Sequence, residues 1–470
     1  MRIRKVKNSA GNITVQVGYD QGKRFKLIKH LGSAKNQLEE NHLVKQADDF
    51  INKQQLSLWS SPTVIDQKDL VPVGYSRDTA YRYFCHAFDG VFPKMEDKIL
   101  KDLVIIRITH PASKLGSIKL LHEYFGIKYS KSSLHRAFLK ADKQMFVNQL
   151  VTYAKQQLSF DFSLLFYDVT TLYFESVSDE MLKIPGFSKD GKHSQPQILI
   201  GLVVDHHGFP VFYQIFKGNT FEGHTMLPII LEFKQTFKVK QLTIVADSAM
   251  LSEDNLSTLE EHQLTYVVGN KTIGTYRDSL APKIKKLKQK DNSICVIVQD
   301  QRRIIYHYSR KREKKDLYEI DKAVNKAAYL ARNPSKRTKA KYLKVQAETL
   351  KVNQGLIDKH KFLAGIKSYK TNSNLSPLLV VERYGDLWKI EKSFRMTKHD
   401  LKARPIFHRK EEAIQAHILI VFAANAVARH VELQTHIPIS QVVKDLMRII
   451  DVKFKLKNSN QIYSLTLPPH

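Results

Sequence analysis

The period of hydrophobic and polar positions changes several times along this chain, and each change marks a new element. Residues 13–17 and 25–30 alternate apolar and polar on either side of Tyr19-Asp20-Gln21-Gly22, which predicts a β-hairpin. A polar helical stretch follows over 33–51, and the proline-containing segment 59–75 reads as a linker. From 80 to 146 the period is helical. Leu100, Leu103, Val104 and Ile108 recur at helical spacing until Pro111, a second helix runs over 112–125 to Gly126, and a third opens after Ser130 or Ser132. The third helix turns Leu134, Ala137, Phe138 and Ala141 inward and leaves Lys131, His135, Arg136 and Lys140 outside. Helix, glycine turn and short basic helix is the pattern of a helix-turn-helix. A small helical bundle with a solvated charged face has the same pattern.

From 164 onward short apolar strands set the rhythm. Residues 164–167 end at Asp168, 198–204 and 211–216 form a hairpin, and 242–246 end at Asp247; helices over 224–237 and 252–262 and a strand over 265–268 complete the run. A basic block at 271–370 has strand-like patches at 294–298 and 304–308, after which helical periods return over 383–398 and 410–431. Three strands, helix, strand, helix, strand and a later helix is the order of a ribonuclease-H-like α/β domain with a mixed sheet. The expected organisation is an N-terminal hairpin, helix and linker (1–75) and a helical, helix-turn-helix-like domain (76–150). The first part of the RNase-H-like domain (160–270), a basic, mostly β insertion (271–375), the last part of that domain (376–432) and a C-terminal tail (433–470) follow.

Composition narrows the classes. The 470 residues hold 75 Lys+Arg against 46 Asp+Glu, a formal net charge of +29 with pI about 9.7, and 43% are hydrophobic. Such a chain buries a core and is not a disordered basic tail. The longest apolar run, 416–428, is broken by His417 and Asn425 and falls short of the roughly 18 residues of a membrane span, so no membrane partner is expected. No apolar segment follows the charged N-terminus, and Cys85 and Cys295 stand far apart without paired histidines, which predicts a cytoplasmic protein with neither disulfide framework nor zinc site. The polyanion such a surface meets is nucleic acid, although a ribosomal or membrane-surface role also suits the charge.

Carboxylates at strand ends are the candidate chemistry. In α/β sheets, sites form outside the carboxyl ends of strands, so Asp168 and Asp247 with a Glu from a helix would make an oxygen-rich cage for Mg²⁺ or Mn²⁺. An Asp after a strand is also a common turn former. On the helix predicted over 383–398, Tyr384, Glu391, Arg395 and Lys398 fall within about 40° of one stripe. Such a stripe fits a phosphodiester site, with Glu391 on metal and Arg395 and Lys398 on phosphates; a row of solvated ion pairs is the alternative. His206 and His207 are expected in a solvated hairpin turn, His193 in a loop that is solvated or else approaches the site, and His408 and His417, which lack a carboxylate at metal-ligand spacing, in structural roles.

These residues resemble a DDE transposase of bacterial insertion sequences, in the IS-four-like group marked by Y-x2-R-x3-E-x6-K. Tyr384, Glu391 and Lys398 match at the right spacing, and Leu387 occupies the Arg position, where Lys389 or Arg395 could substitute. Tyr167-Asp168-Val-Thr-Thr171, Gly186-Phe-Ser-Lys-Asp190, Gly201-Leu-Val-Val-Asp205, Gly208-Phe-Pro210, Gly218-Asn-Thr220, Val245-Ala-Asp247-Ser-Ala-Met250, Leu401-Lys-Ala-Arg404-Pro-Ile-Phe-His408 and Ile414-Gln-Ala-His417 are similar to further family blocks, in order. The resemblance implies Asp168, Asp247 and Glu391 as catalytic metal ligands holding two ions about 3.5–4 Å apart, with DNA cleavage followed by strand transfer. It also implies double-stranded DNA (element ends and target) as partner, Tyr384, Arg395, Lys398, Lys131, Arg136 and Lys140 as DNA contacts, a homodimer on two ends, and the bacterial cytosol as location. A transposase-derived DNA-binding protein without catalysis and a metal-dependent nuclease without strand transfer are the competing expectations. The charge supports a DNA partner: 15 Lys/Arg against 4 Asp/Glu, a net +11, fall between Arg302 and Lys344.

Overall fold

The computed structural model describes residues 2–7, 11–21, 24–58, 70–160, 162–175, 184–186, 195–248, 252–333, 340–346, 349–456 and 462–467. Most of the expected linker, the loop holding His193, and Ala249 and Met250 of the second-aspartate block lie outside them.

Two compact units result: Met1–Gly74 with Val452–Leu465, and Tyr75–Asp451 with Thr466–His470. In the first, β1 (Arg2–Lys7), β2 (Ile13–Gln21) and β3 (Arg24–Ala34) form an antiparallel sheet, and α1 (Gln37–Leu58) packs on it over Val15, Val17 and Ala47. Alternation supplies the apolar face, and Lys5 ties β1 to Glu40 of α1 at 2.7 Å. A second three-stranded sheet combines β4 (Leu70–Ser76) with two C-terminal strands defined below.

The second unit opens with α2 (Asp78–Val91), α3 (Lys98–Thr109), α4 (Lys114–Phe125), α5 (Lys131–Leu139) and α6 (Lys143–Gln157). The sequence writes their ends: Asp97, Ser113, Ser130 and Asp142 accept backbone N–H groups at the N-termini, and Gly126 closes α4 at φ 70°. Ser130, rather than Ser132, caps the short basic helix.

The sheet begins with β5 (Leu164–Tyr173), β6 (Ile184–Pro185), β7 (Pro196–Val204) and β8 (Pro210–Lys217), then α7 (Met226–Phe237), β9 (Thr243–Ala246), α8 (Glu253–Glu261) and β10 (Thr265–Asn270). The basic block adds α9 (Thr272–Thr275), α10 (Ala281–Leu287), β11 (Ile294–Gln299), β12 (Arg302–Tyr308), α11 (Arg310–Arg332), β13 (Leu343–Gln346), β14 (Thr349–Val352), α12 (Gln354–Leu363) and β15 (Ile366–Thr371). Next come α13 (Pro377–Gly385), α14 (Trp388–Arg395), α15 (Glu411–Thr435), α16 (Ile439–Arg448), β16 (Ile450–Leu456) and β17 (Ile462–Leu467). The nine-stranded sheet runs β11-β12-β15-β10-β9-β5-β7, with β6 and β8 beyond β7. Strands β5, β9 and β10 are parallel, and the other pairings are antiparallel. It is a mixed α/β fold, as expected.

Three expectations change. The basic block is not mostly β: it holds the 23-residue α11, whose Ile320, Ala327 and Leu330 are buried while its Lys and Glu face outward. Ala, Lys, Glu and Leu favour helix, and spaced apolar residues suffice to bury one stripe. Nor is the block a detached insertion, because β11, β12 and β15 extend the main sheet. The helical segment is likewise no separate domain. Phe84, Leu103, Phe146, Tyr167, Ile244 and Val421 belong to one continuous core, organised around α15, which packs on α2, α3, α5, α6 and β8. Among the described helices α15 alone is long and apolar enough to cross a membrane, and 89% of its apolar window is buried inside the fold. It is a core helix.

Candidate active site

The parallel register of β5 and β9 sets the first two acids beside each other. Leu164 pairs with Thr243 and, three positions on, Tyr167 with Ala246. Asp168, still on β5, and Asp247, the first residue past β9, come next, one inter-strand spacing (~4.8 Å) apart in the backbone. Period-two alternation sends Tyr167 into the core, where its hydroxyl donates to Thr225 Oγ1 at 2.7 Å, and sends half-buried Asp168 to the opposite face. Asp168 Oδ1 accepts the Val169 N–H at 2.8 Å. Asp247 is exposed, and its Oδ1 accepts the Ser248 N–H at 2.6 Å and the Tyr384 hydroxyl at 2.9 Å.

Glu391 arrives on α14, which packs on β5 and β7. Ile390 and Phe394 are buried, and Glu391 and Arg395 face solvent, so the helix has the amphipathic pattern of a surface helix. Glu391 and Asp247 act on the same two groups. Burial lowers the Lys367 ammonium, Arg312 lowers it further, and Asp247 and Glu391 both pull it upward. Burial raises the Tyr384 hydroxyl, followed by Asp247 and Glu391. Lys367 Nζ lies 4.3 Å from the Tyr384 ring centroid.

The stripe expected on one helix is divided. The chain breaks at Asp386 and Leu387, so Tyr384 sits on α13 and Glu391 on α14. Tyr384 is 6% exposed, tilts against Tyr369 at 4.9 Å and gives its hydroxyl to Asp247. It positions an aspartate rather than facing a DNA strand. Leu387, in the signature's Arg position, is itself buried. Lys389 is engaged by His206 O at 2.8 Å and Asp386 at 2.9 Å, which leaves exposed Arg395 as the cation next to Glu391 on this face. Lys398 lies half-buried in the π turn Met396–Asp400. Lys131, Arg136 and Lys140 are all exposed on or just past α5.

Sequence reasoning missed Lys367, Tyr369 and Gly269. Pairing of β10 with β15 sets Gly269 opposite Tyr369, and a Cβ at Gly269 would run into the Tyr384 hydroxyl and ring. Only that register brings Lys367 to the site; its local pattern is that of any basic strand residue.

The β7–β8 hairpin is tied to both α14 and α15. Ser393 Oγ donates to Gly208 O at 3.0 Å, Lys389 to His206 O, and Arg429 to His207 O at 2.6 Å. Gly208 has φ 75°, and a Cβ there would stand 3.0 Å from Lys389 Cβ. His206 and His207 are therefore half-buried in a clamp and not in a solvated turn. Inside the hairpin, Asp205 Oδ1 accepts the His207 and Phe209 N–H groups, both at 2.8 Å, while its buried Oδ2 has no partner. Burial pushes this carboxyl up to about 7, against the pull of those N–H groups, Arg429 and Lys389. A raised carboxyl contributes stability that is present below its unfolded value near 4 and is lost as pH rises through about 7. Asp205→Asn keeps the acceptor without the charge. Its melting temperature relative to wild type is expected to climb between pH 5 and pH 8; a pH-independent difference would contradict this assignment.

The donor set at the site is oxygen-only, which fits a hard divalent cation. Among the described residues, no three His, Cys, Asp or Glu side chains converge closely enough to hold an ion as they stand.

Residues 160–425 match the transposase DDE domain, and the chain belongs to that family. The match spans β5 to the middle of α15 and so includes both aspartates and Glu391. The chain is also similar to a piggyBac transposase in a synaptic complex with hairpin DNA, at 9% identity and TM-score 0.39, covering 80% of each chain. No curated protein matches it.

Proposed function

We propose that this protein is an insertion-sequence transposase of the IS-four-like group, which cuts DNA at terminal inverted repeats and joins the freed 3′ ends to target DNA. The observation that carries this is the placement of Asp168 and Asp247 side by side on parallel strands, with Glu391 and Asp247 both felt by Lys367 and Tyr384. Antiparallel β5, β7 and β8 followed by parallel β9 and β10 support an RNase-H-like core. Asp168, Asp247 and Glu391 would hold two Mg²⁺ or Mn²⁺ ions. Bound ions supply a water nucleophile at neutral pH and neutralise charge on the phosphoryl group. The chain's own residues fix the carboxylates: Tyr384 and the Ser248 N–H orient Asp247, and the Gly208 hairpin clamps the helix of Glu391. Arg395 and Lys398 grip strand phosphates, and Lys131, Arg136 and Lys140 contact duplex DNA. The working form is a homodimer on two DNA ends in the bacterial cytosol.

The test incubates purified protein with Mg²⁺ and DNA bearing the element's inverted repeats. Cleavage with joining supports a transposase; cleavage alone makes it a nuclease, and binding alone a non-catalytic DNA-binding protein. Arg136→Ala is expected to weaken binding to element ends by about tenfold, and binding to random duplex by less, in competition titrations. Equal losses would remove base readout from α5.

A further inference from the structure

Arg107 is a buried cation in search of an anion. It lies on the last turn of α3, is 8% exposed, and has no hydrogen bond or ion pair to any described residue. Burial alone depresses its guanidinium, to about 10. Its head lines a cavity of about 150 Å³ together with Lys114, Lys402, Arg404, His408 and His417, and no carboxylate lines that cavity. The surrounding groups are held down chiefly by burial, and the two histidines also by their cationic neighbours. Burial, then Lys114 and Arg107, push His408 down to about 4, and burial holds Lys114 down to about 8. His417, which donates Nε2–H to Ala403 O at 3.1 Å, is held well below its ordinary value by burial, Arg107 and His408. The N-terminus of α4, capped by Ser113, also opens on the cavity and adds its partial positive charge.

A buried charge without a partner is costly unless something compensates it. Here all the neighbouring charges have the same sign, so the missing partner is an anion. A guanidinium fork matches a phosphate bidentately. The volume is below the ~300 Å³ of ordinary small-molecule pockets, which suits one phosphate group rather than a nucleotide. Position selects the source. The 402–408 segment continues directly from the helix of Glu391 through the π turn, and Ile406 bridges to Phe174 at the end of the strand that carries Asp168. Exposed Lys402 and Phe407 stand at the rim.

We propose that this cavity seats one backbone phosphate of the DNA strand presented to the active site. The proposal rests on the DNA-processing function above. It adds an anchor outside the carboxylate site, tied through the chain to both Asp168 and Glu391, which fixes how the strand enters.

The test uses the full-length protein and a duplex of about 30 base pairs, with affinity measured by fluorescence anisotropy between 50 and 200 mM salt. Arg107→Met is expected to weaken binding about tenfold at the lowest salt and to reduce the slope of log K against log salt by about one, equally for element-end and random sequences. Without DNA the same variant melts higher than wild type, since it loses an uncompensated charge. Inorganic phosphate raises the melting temperature of wild type and not of the variant. A lower melting temperature with an unchanged salt slope would make Arg107 structural and overturn the proposal. A phosphate-dependent shift with unchanged DNA affinity would make this a free-anion site and overturn it equally. If Arg107→Met does not fold, Lys402→Ala at the rim carries the same slope test. Wild-type protein that binds no DNA at all would instead sink the transposase function, a distinct result.

Discussion

Asp247→Asn protein is expected to bind element-end DNA within about threefold of wild type and to cleave it at least a thousandfold more slowly. Metal ions at such a site supply several kcal/mol of charge stabilisation to the transferring phosphoryl group, about 4 kcal/mol at three decades of rate. Removing one carboxylate charge discards most of that and leaves the DNA grip intact. Asn retains an oxygen for the Tyr384 hydroxyl and the Ser248 N–H, so the loop geometry survives and the loss reports charge alone. Asp168→Asn and Glu391→Gln should fall to the same floor, and a double variant should fall little further, as the proposed shared metal site requires. Gel-based cleavage of labelled ends, with binding measured in parallel, reads both quantities. Full cleavage by Glu391→Gln would show that the helix carboxylate has no share in the chemistry.

Gly269→Ala should be the most disruptive single-methyl change near the site. A Cβ on Gly269 would overlap the Tyr384 hydroxyl and ring, and that ring is buried between Tyr369 and β10 with no room to retreat. Overpacking of this kind costs about 1–3 kcal/mol. At roughly 2–4 °C per kcal/mol for a fold of this size, the melting temperature drops by about 2–12 °C. Displacing the ring also breaks its hydrogen bond to Asp247, so cleavage falls along with stability. Tyr384→Phe alone loses that one bond, worth about 1 kcal/mol. The double variant should lose less than the sum of the two, since the bond is already broken when the ring moves. Strict additivity would mean that the tyrosine does not respond to the added methyl.

Strand ends were legible because alternation and apolar runs report burial locally. Leu164 to Tyr167 and Thr243 to Ala246 announce themselves as buried strands, and Asp247 follows the end of its run. β5, however, continues through Asp168 to Tyr173, so Asp168 lies within its strand and not at the expected end, because pairing with β7 carries the strand past the polar residue. The stop at Gly126 and a serine cap at Ser130 or Ser132 were also legible, from residue types that favour helix ends. Tyr384 was not. Its spacing from Glu391 suggested one helical stripe, but the helix is interrupted at Asp386 and Leu387, and Tyr384 turns inward to Asp247. The long helix of the basic block was misjudged because its strand-forming patches precede it, and its own apolar stripe is thin and dilute in lysine.

Element order, the two aspartates that follow apolar runs and the excess of positive charge follow from local pattern, because hydrophobic period and net charge depend only on neighbours along the chain. The adjacency of Asp168 and Asp247, the arrival of Lys367, the partnership of Tyr384 with Asp247 and the phosphate-sized cavity around Arg107 were decided by tertiary structure. Each depends on which strand pairs with which and in what register, or on which distant helix closes a cavity. Those choices minimise the burial cost of the whole core, and no short window of sequence contains that sum.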